Sequence, residues 1–223
     1  SELLEHCSSF DNNNYTFYKG DICNNDLIDI ILNNHNIDTV IHFAAQSHVD
    51  NSFCTPMQFT TDNVIGTHTL FDCCKRYGNI VKFIHVSTDE VYGETMDGKC
   101  DETAILNPSN PYSASKACAE MIANAYKMSF KLPIIIVRSN NIFGRHQYPE
   151  KLIPKFILNL LNNKKCPIHG EGLTYRNYLH VDDIITAFET ILLNGKINEI
   201  YNISSPTEHS VLEIYKMLSE KLK

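Results

Sequence analysis

The chain has 223 residues, of which 43% are hydrophobic and 20% charged, and its formal net charge is -7. This length allows a full hydrophobic core, and the ordinary composition excludes the disordered and fibrous classes. The acidic balance argues against nucleic-acid binding or a membrane-surface role, because phosphate groups need a basic face. The longest apolar runs, such as residues 132–137, are too short to span a bilayer.

Eight cysteines and ten histidines raise the questions of disulfides and of metal binding. The cysteines form no CxxC pair, and Cys73 and Cys74 are adjacent inside a helical pattern, so we favour reduced thiols in a cytoplasmic protein. The histidines show neither HxxxH nor HExxH spacing, so the sequence predicts no metal site.

Strand-like and helical segments alternate from the first predicted strand onwards. Strands are predicted at residues 15–18, 38–45, 81–87 and 132–138, and helices at residues 26–34, 56–77 and 111–127. The last of these strands, LPIIIVR, is continuously apolar, which is typical of a strand covered on both faces. Strands alternating with helices of this length form βαβ units, so the predicted class is α/β with a doubly wound parallel sheet.

Beyond Arg145 the alternation loosens. Helices are predicted at residues 150–163, 181–194 and 210–223, the first interrupted near its start by Pro154, with short strands at residues 176–181 and 199–204.

Ligands of doubly wound sheets bind outside the carboxyl ends of the strands. Among the segments that follow predicted strands, VSTDEVYG places Asp89 and Glu90 directly after an apolar run. These two acids are either a solvated turn or an acid and a base facing a ligand.

Tyr112 and Lys116 lie four residues apart, on one face of a predicted helix. A phenol has a pKa of about 10 and is a poor base unless a cation stabilises the phenolate, which the lysine is expected to do. The spacing alone also arises by chance. It gains weight from Thr88, which can hydrogen-bond the same ligand oxygen as Tyr112.

Six segments together carry a resemblance to a known family: HFAAQSHVD (42–50), VSTDEVYG (86–93), NPYSASKA (110–117), RSNNIFG (138–144), YPEKLIPKF (148–156) and RNYLHVDD (176–183). With them the chain resembles the extended short-chain dehydrogenase/reductase family, and within it the nucleotide-sugar 4,6-dehydratases of the dTDP-glucose and UDP-glucose types. The resemblance implies a Rossmann-like fold with NAD as cofactor. It also implies an NAD-binding domain at residues 1–145, and part of a smaller substrate-binding domain, with interleaved return segments, at residues 146–223.

The implied activity is that of a hydro-lyase. NAD takes a hydride from C4 of the glucose, water leaves across C5 and C6, and the hydride returns to C6. Two neighbouring carboxyl groups in different environments supply the acid and the base that such an elimination needs. By resemblance, Asp89 is the acid at C6 and Glu90 the base at C5, while Thr88, Tyr112 and Lys116 complete the catalytic set.

The remaining site residues are also implied by the resemblance. The cofactor would contact Asp21, Ile22, Ala44, Ala45, Gln46, Ser47, Tyr112 and Lys116. The substrate would contact Ser47, Thr88, Asn141, Lys151, Leu152 and Arg176. Two of these have a plain structural alternative, since Asp21 can be a helix N-cap and Arg176 a member of a surface ion pair rather than a pyrophosphate clamp.

The family's glycine-rich loop, its first strand and its first helix are missing from this sequence. We therefore expect an N-terminally truncated chain with an exposed apolar sheet edge, which binds NAD weakly or not at all by itself. We also expect a homodimer and a role in making rhamnose and other deoxysugars. An epimerase or decarboxylase on the same scaffold, and a catalytically silent nucleotide-binding module, are the alternatives, and the sequence does not decide between thymidine and uridine.

Overall fold

The computed structural model describes residues 15–93, 100–168 and 170–222. In chain order the strands are β1 (Thr39–His42), β2 (Lys82–Thr88), β3 (Ile134–Ser139), β4 (Asn141–Phe143), β5 (Tyr175–His180), β6 (Ile200–Ile203) and β7 (Glu208–Ser210). They form a parallel four-stranded sheet in the order β1-β2-β3-β6 and a smaller sheet in the order β4-β5-β7. β6, from the second part of the chain, pairs with β3 in the main sheet.

The α-helices in the described part of the chain are α1 (Asn25–Asn34), α2 (Val49–Cys54), α3 (Pro56–Phe59), α4 (Gly66–Tyr77), α5 (Pro111–Phe130), α6 (Leu152–Leu161), α7 (Val181–Asn194) and α8 (Val211–Lys221). A π-helical turn at Thr60–Ile65 joins α3 to α4. None of the helices in this part of the chain combines the length and the apolarity needed to cross a membrane.

Helices cover both faces of the main sheet, as the sequence predicts. On one face Phe83 and Ile134 pack with residues of α4 and α5, among them Phe71. On the other face Ile84 and Ile135, the next residues along the same strands, pack with residues of α7. Because successive side chains of a strand point to opposite faces, the continuously apolar β3 fills both layers of the core.

Two predicted elements differ from the structure. Residues 15–18 form no strand, because no strand in the described part of the chain pairs with them, and Phe17 is 55% exposed. Pro154 does not interrupt α6, because it lies in the first turn, where a missing N–H breaks no intrahelical hydrogen bond. The long predicted helix at residues 56–77 is present, with the π-helical turn inside it.

The edge of the main sheet at β1 is apolar and exposed, as predicted. Phe43, just after β1, is 58% exposed, and Ile41 is 37% exposed. Both residues line a cavity of about 410 Å³ whose other wall includes Ile184 and Phe188 of α7.

Candidate active site

The acidic segment at the carboxyl end of β2 folds into a tight turn over Asp89–Tyr92. The Thr88 hydroxyl accepts a hydrogen bond from the Glu90 backbone N–H at 3.3 Å and donates one to Asp89 Oδ1 at 3.2 Å. The turn ends at Gly93, where φ is +74° and an added Cβ would lie 2.0 Å from the Asn107 carbonyl oxygen, so only glycine fits.

Both carboxyl groups are half-buried and line a cleft of about 1080 Å³. Asp89 Oδ2 accepts a hydrogen bond from Asn140 Nδ2 at 2.6 Å, and Glu90 Oε2 accepts one from Asn110 Nδ2 at 3.0 Å. This arrangement does not fit the solvated-turn alternative, because the side chains are engaged with the walls of a cleft.

The two acids meet different surroundings. Burial raises the pKa of Asp89, opposed by hydrogen bonds from Asn140 and Thr88 and by the charge of Arg176. A raised pKa favours the protonated form, which an acid catalyst needs. Among the sequence-predicted acids, Asp89 therefore has the environment expected of a proton donor.

Tyr112 and Lys116 are both buried on the face of α5 that meets β2. Lys116 Nζ donates a hydrogen bond to the Val86 carbonyl oxygen at 2.7 Å, and burial lowers the pKa of Lys116 to about 8. Burial, and then the charge of Glu90, raise the pKa of Tyr112, while its hydrogen bond with Thr88 acts in the opposite sense. Lys116 is not among the described groups that act on the pKa of Tyr112, so the lowering of the phenol's pKa by Lys116 stays a prediction.

Lys116 Nζ has unused hydrogen-bonding capacity. An ammonium group has three N–H donors, and the described residues give this one a single hydrogen-bond acceptor, Val86 O. A buried ammonium in this condition fits a ligand that brings hydroxyl oxygens, such as the nicotinamide ribose of NAD. The predicted cofactor residues Ala44, Ala45, Gln46 and Ser47 are exposed after the carboxyl end of β1, where a ligand of this fold binds.

Asn63 is a site residue that the sequence reasoning missed. It is fully buried, accepts a hydrogen bond from Gln46 N at 2.7 Å and donates to Gln46 O at 3.0 Å and to Ser115 Oγ at 2.8 Å. It thereby ties the loop after β1 to α5, the helix that carries Tyr112. The sequence alone did not mark this residue, because its burial and its place in a π-helical turn, a feature frequent at functional sites, are set by the fold.

For Asp21, another predicted cofactor residue, the structure decides whether it caps a helix. Asn24, not Asp21, caps α1, while Asp21 Oδ1 accepts a hydrogen bond from Cys23 N at 2.8 Å. The N-cap alternative for Asp21 is therefore wrong. Next to it, Ile22 packs on Gly66, where an added Cβ would lie 2.6 Å from Ile22 Cδ1.

The predicted substrate residues are distributed around the same strand ends. Lys151, at the start of α6 just before Leu152, donates from Nζ to Ser47 O at 2.8 Å. Burial lowers the pKa of Lys151, opposed by the charges of Glu150, Glu90 and Asp50. Arg176 is exposed, lines the cleft and makes no ion pair with any described residue. Asn141 is exposed on β4, whereas its neighbour Asn140 lines the cleft.

A buried polar network behind the cleft was also missed by the sequence reasoning. Arg138 of β3 pairs with Glu120 of α5 through Nη2 and Oε2 at 2.7 Å, and both side chains are almost fully buried. Arg138 Nη1 also donates to the Tyr92 hydroxyl at 2.7 Å, and that hydroxyl donates to Asn202 Oδ1 at 2.7 Å. The network connects the acidic turn, α5 and β6.

Comparisons with known proteins agree with this fold. The family model described as GDP-mannose 4,6 dehydratase matches residues 1–223. The dTDP-D-glucose 4,6-dehydratase of Dictyostelium discoideum is 49% identical over 97% of this chain, which spans 54% of that protein. A trifunctional UDP-glucose 4,6-dehydratase/3,5-epimerase/reductase of Arabidopsis thaliana is 48% identical over 98% of this chain, which spans 34% of that protein.

A solved structure resembles the whole chain. A double mutant of the dTDP-glucose 4,6-dehydratase from Streptomyces venezuelae, with NAD bound, superposes with a TM-score of 0.94 at 36% identity, covering 99% of this chain and 67% of that one. The chain thus spans about half the length of the Dictyostelium relative and about a third of the Arabidopsis one.

Proposed function

We propose, because this chain belongs to the GDP-mannose 4,6 dehydratase family, that its protein converts a nucleoside-diphosphate glucose to the 4-keto-6-deoxy sugar. The observation that carries the proposal is the acidic turn. Asp89 and Glu90 line one cleft, each hydrogen-bonded to a different asparagine, and Glu90 lies close enough to act on the pKa of Tyr112.

We propose NAD as the cofactor, and the Streptomyces relative was crystallised with it. When bound, NAD supplies the hydride acceptor for C4 and the hydride donor for C6. Lys116 would hold the ribose through its unused N–H donors. Tyr112 would take the proton of the C4 hydroxyl, with Thr88 holding the same oxygen.

The acid and base roles follow from the chemistry of elimination. The C5 hydrogen becomes removable once C4 is a ketone, and Glu90 takes it as a proton. Asp89, whose raised pKa favours the protonated form, gives its proton to the C6 hydroxyl, which leaves as water. Glu90 then returns its proton to C5, and the proton from the C4 hydroxyl restores Asp89 by way of solvent.

Substrate binding would use cations around the cleft. Arg176 lines the cleft, faces it without an ion-pair partner among the described residues, and its guanidinium matches the oxygens of a pyrophosphate. Lys151 and Asn141 would contact the same substrate. The named relatives act on dTDP-glucose in one case and UDP-glucose in another, so both nucleotides are tested below.

We further propose a cytoplasmic homodimer that serves the synthesis of deoxysugars such as rhamnose. A stripe of exposed apolar side chains on α5 supports the dimer, since Met121 is 62% and Met128 66% exposed, seven residues apart on one helix face. Exposed apolar stripes of this kind mark protein interfaces.

The acidic pair separates this proposal from an epimerase or decarboxylase on the same scaffold. Neither of those reactions has to remove a C5 hydrogen and protonate a C6 hydroxyl together, so neither needs a base and an acid side by side at this position.

The direct test gives the complete protein NAD with either dTDP-glucose or UDP-glucose and measures the 4-keto-6-deoxy product. Glu90→Gln should stop exchange of the C5 hydrogen with deuterated water while leaving C4 oxidation measurable. The matched control is Glu199→Gln, an exposed glutamate just before β6, at the amino ends of the parallel strands and away from the acidic turn. Product from neither sugar in the unmodified protein would refute the function, and exchange that survives Glu90→Gln would refute the role of Glu90.

A further inference from the structure

The two carboxyl groups of the acidic turn have separate amide partners from distant parts of the chain. Asn110 Nδ2 lies 3.0 Å from Glu90 Oε2, and Asn140 Nδ2 lies 2.6 Å from Asp89 Oδ2. An amide side chain carries a donor and an acceptor, so it can donate to an ionised carboxylate or accept from a protonated carboxyl. Whether each amide donates to its carboxylate or accepts from a protonated carboxyl group depends on the hydrogen bonds that its remaining polar atoms make.

Asn110 is fixed in one orientation. Its Oδ1 accepts a hydrogen bond from Ser113 N at 2.9 Å and so caps α5, within a capping box. A rotated amide would set its NH₂ against the Ser113 N–H and its oxygen against the Glu90 carboxylate. Because a helix N-terminal N–H can only donate, Asn110 always presents its NH₂ donor, and never its oxygen, to the Glu90 carboxyl group.

Asn140 is not fixed in this way. Its Oδ1 is buried and has no hydrogen-bond partner among the described residues. A half-turn of the amide would bring that oxygen to Asp89, where it can accept the proton of the neutral carboxyl. Buried polar atoms are rarely left unpaired. Asn140 Oδ1 would gain a partner if the amide rotated whenever Asp89 becomes protonated.

We propose that Asn110 and Asn140 are positioning residues that assign the base role to Glu90 and the acid role to Asp89. Asn110 holds the carboxylate that takes the C5 proton. While Asp89 is protonated, the Asn140 oxygen accepts a hydrogen bond from its carboxyl group. After Asp89 has given its proton to the C6 hydroxyl, the Asn140 NH₂ donates a hydrogen bond to the Asp89 carboxylate. The inference rests on the proposed function and adds the residues that keep the two roles apart.

The first experiment changes Asn110 in the complete protein. Asn110→Asp keeps the cap but replaces the donor with a negative charge beside the Glu90 carboxyl group, so the pH below which C5 exchange is lost, the acid limb, should move up by about one pH unit or more. Asn110→Ser keeps a capping oxygen without the charge and should move the limb less. A loss of exchange that is equal at every pH, with the limb in place, would show a merely structural role and overturn the inference.

Asn24→Asp is the matched control, because Asn24 caps α1 in the same way, accepting from Leu27 N at 3.1 Å, outside the catalytic set. It should leave the limb of C5 exchange where it is in the unmodified protein. A limb that moves equally in this variant would assign the effect to any added charge and overturn the inference.

The second experiment uses Asn140→Leu, which can bond neither form of Asp89. Without Asn140 the neutral carboxyl group loses the acceptor that orients its proton, and the ionised form loses a donor. We expect the plateau kcat to fall about tenfold, with KM unchanged and the alkaline limb moved to higher pH. An unchanged plateau would overturn the role of Asn140.

An infrared titration of protein labelled with ¹³C-glutamate separates this inference from the proposed function. The band lost in Glu90→Gln identifies Glu90, and it should titrate at higher pH in Asn110→Asp without any turnover. If that shift occurs but no dehydrated product forms, the proposed function fails and the positioning of Glu90 stands. If product forms but neither the band nor the limb moves, the positioning role is wrong.

Discussion

The acidic turn and the tyrosine–lysine face of α5 lie side by side, and burial acts on groups in both, but only the turn gives each of its groups a separate amide partner. At the turn, hydrogen bonds from two asparagines address each carboxyl separately. On α5, burial acts on both groups, lowering the pKa of Lys116 to about 8 and raising that of Tyr112. Burial favours the neutral form of every group it covers, whereas each of these hydrogen bonds acts on one carboxyl group alone.

Tyr112→Phe has the largest expected effect on activity. The change removes the group that takes the C4 proton, so C4 oxidation and every later step should fall together, by about a thousandfold in kcat. This result contrasts with Glu90→Gln, which should spare C4 oxidation. The measurement is formation of reduced cofactor and of 4-keto product.

Tyr126→Phe is the control on the same helix, because Tyr126 hydrogen-bonds His68 and Asp72 outside the cleft. Oxidation at C4 that persists in Tyr112→Phe at the level of this control would show that another group takes the proton.

The next effect is on stability and concerns the scaffold that both regions share. Glu120→Gln leaves Arg138 buried without a charged partner, which should lower the free energy of unfolding by about 3 kcal/mol. The paired change Glu120→Leu with Arg138→Met should recover much of that loss. Denaturant unfolding measures both.

Arg76→Met is the comparison for an exposed ion pair, since Arg76 contacts Asp29 and Asp72 at the surface. It should cost no more than about 1 kcal/mol. Equal losses for the buried and the exposed pair would show that burial does not set the strength of the Arg138 contact.

The sequence predicted the elements that depend on local pattern. The alternation of apolar strands with amphipathic helices gave the parallel sheet and its two covered faces, and the Asn110-Pro111 start of α5 is present as a cap. The strand predicted at residues 15–18 is absent, because a strand needs a partner strand and the local sequence pattern does not supply one.

Within the site, the sequence indicated which groups lie at the strand ends but not which atoms they meet. The spacing of Tyr112 and Lys116 placed both on one face of α5, yet Lys116 Nζ bonds a carbonyl oxygen of β2. Asn63 and Asn140 were missed because their partners are far away in the sequence, 17 and 51 residues from them respectively. Protonation states depend on such distant contacts, so spacing along the chain could not predict them.

The smallest effect, and the one that tests the burial side of the comparison, is the pH dependence of Lys116. Its pKa of about 8 lies below the usual value for lysine, so the ammonium loses its proton as pH rises through 8. If the ammonium must donate to the ribose, kcat/KM, which reports the free enzyme, should fall above that pH. Lys116→Arg keeps its charge at all working pH values, so the step near pH 8 should disappear from its profile.

Lys127→Arg is the matched control for that step, since Lys127 lies on the same helix and donates to Asn198 O at 2.9 Å in an exposed position. Its profile should keep the step near pH 8. A step that survives Lys116→Arg would belong to another group, and burial of Lys116 would then have no part in setting the working range of the site. A step that is lost in Lys116→Arg alone would show that burial on α5 limits activity at high pH.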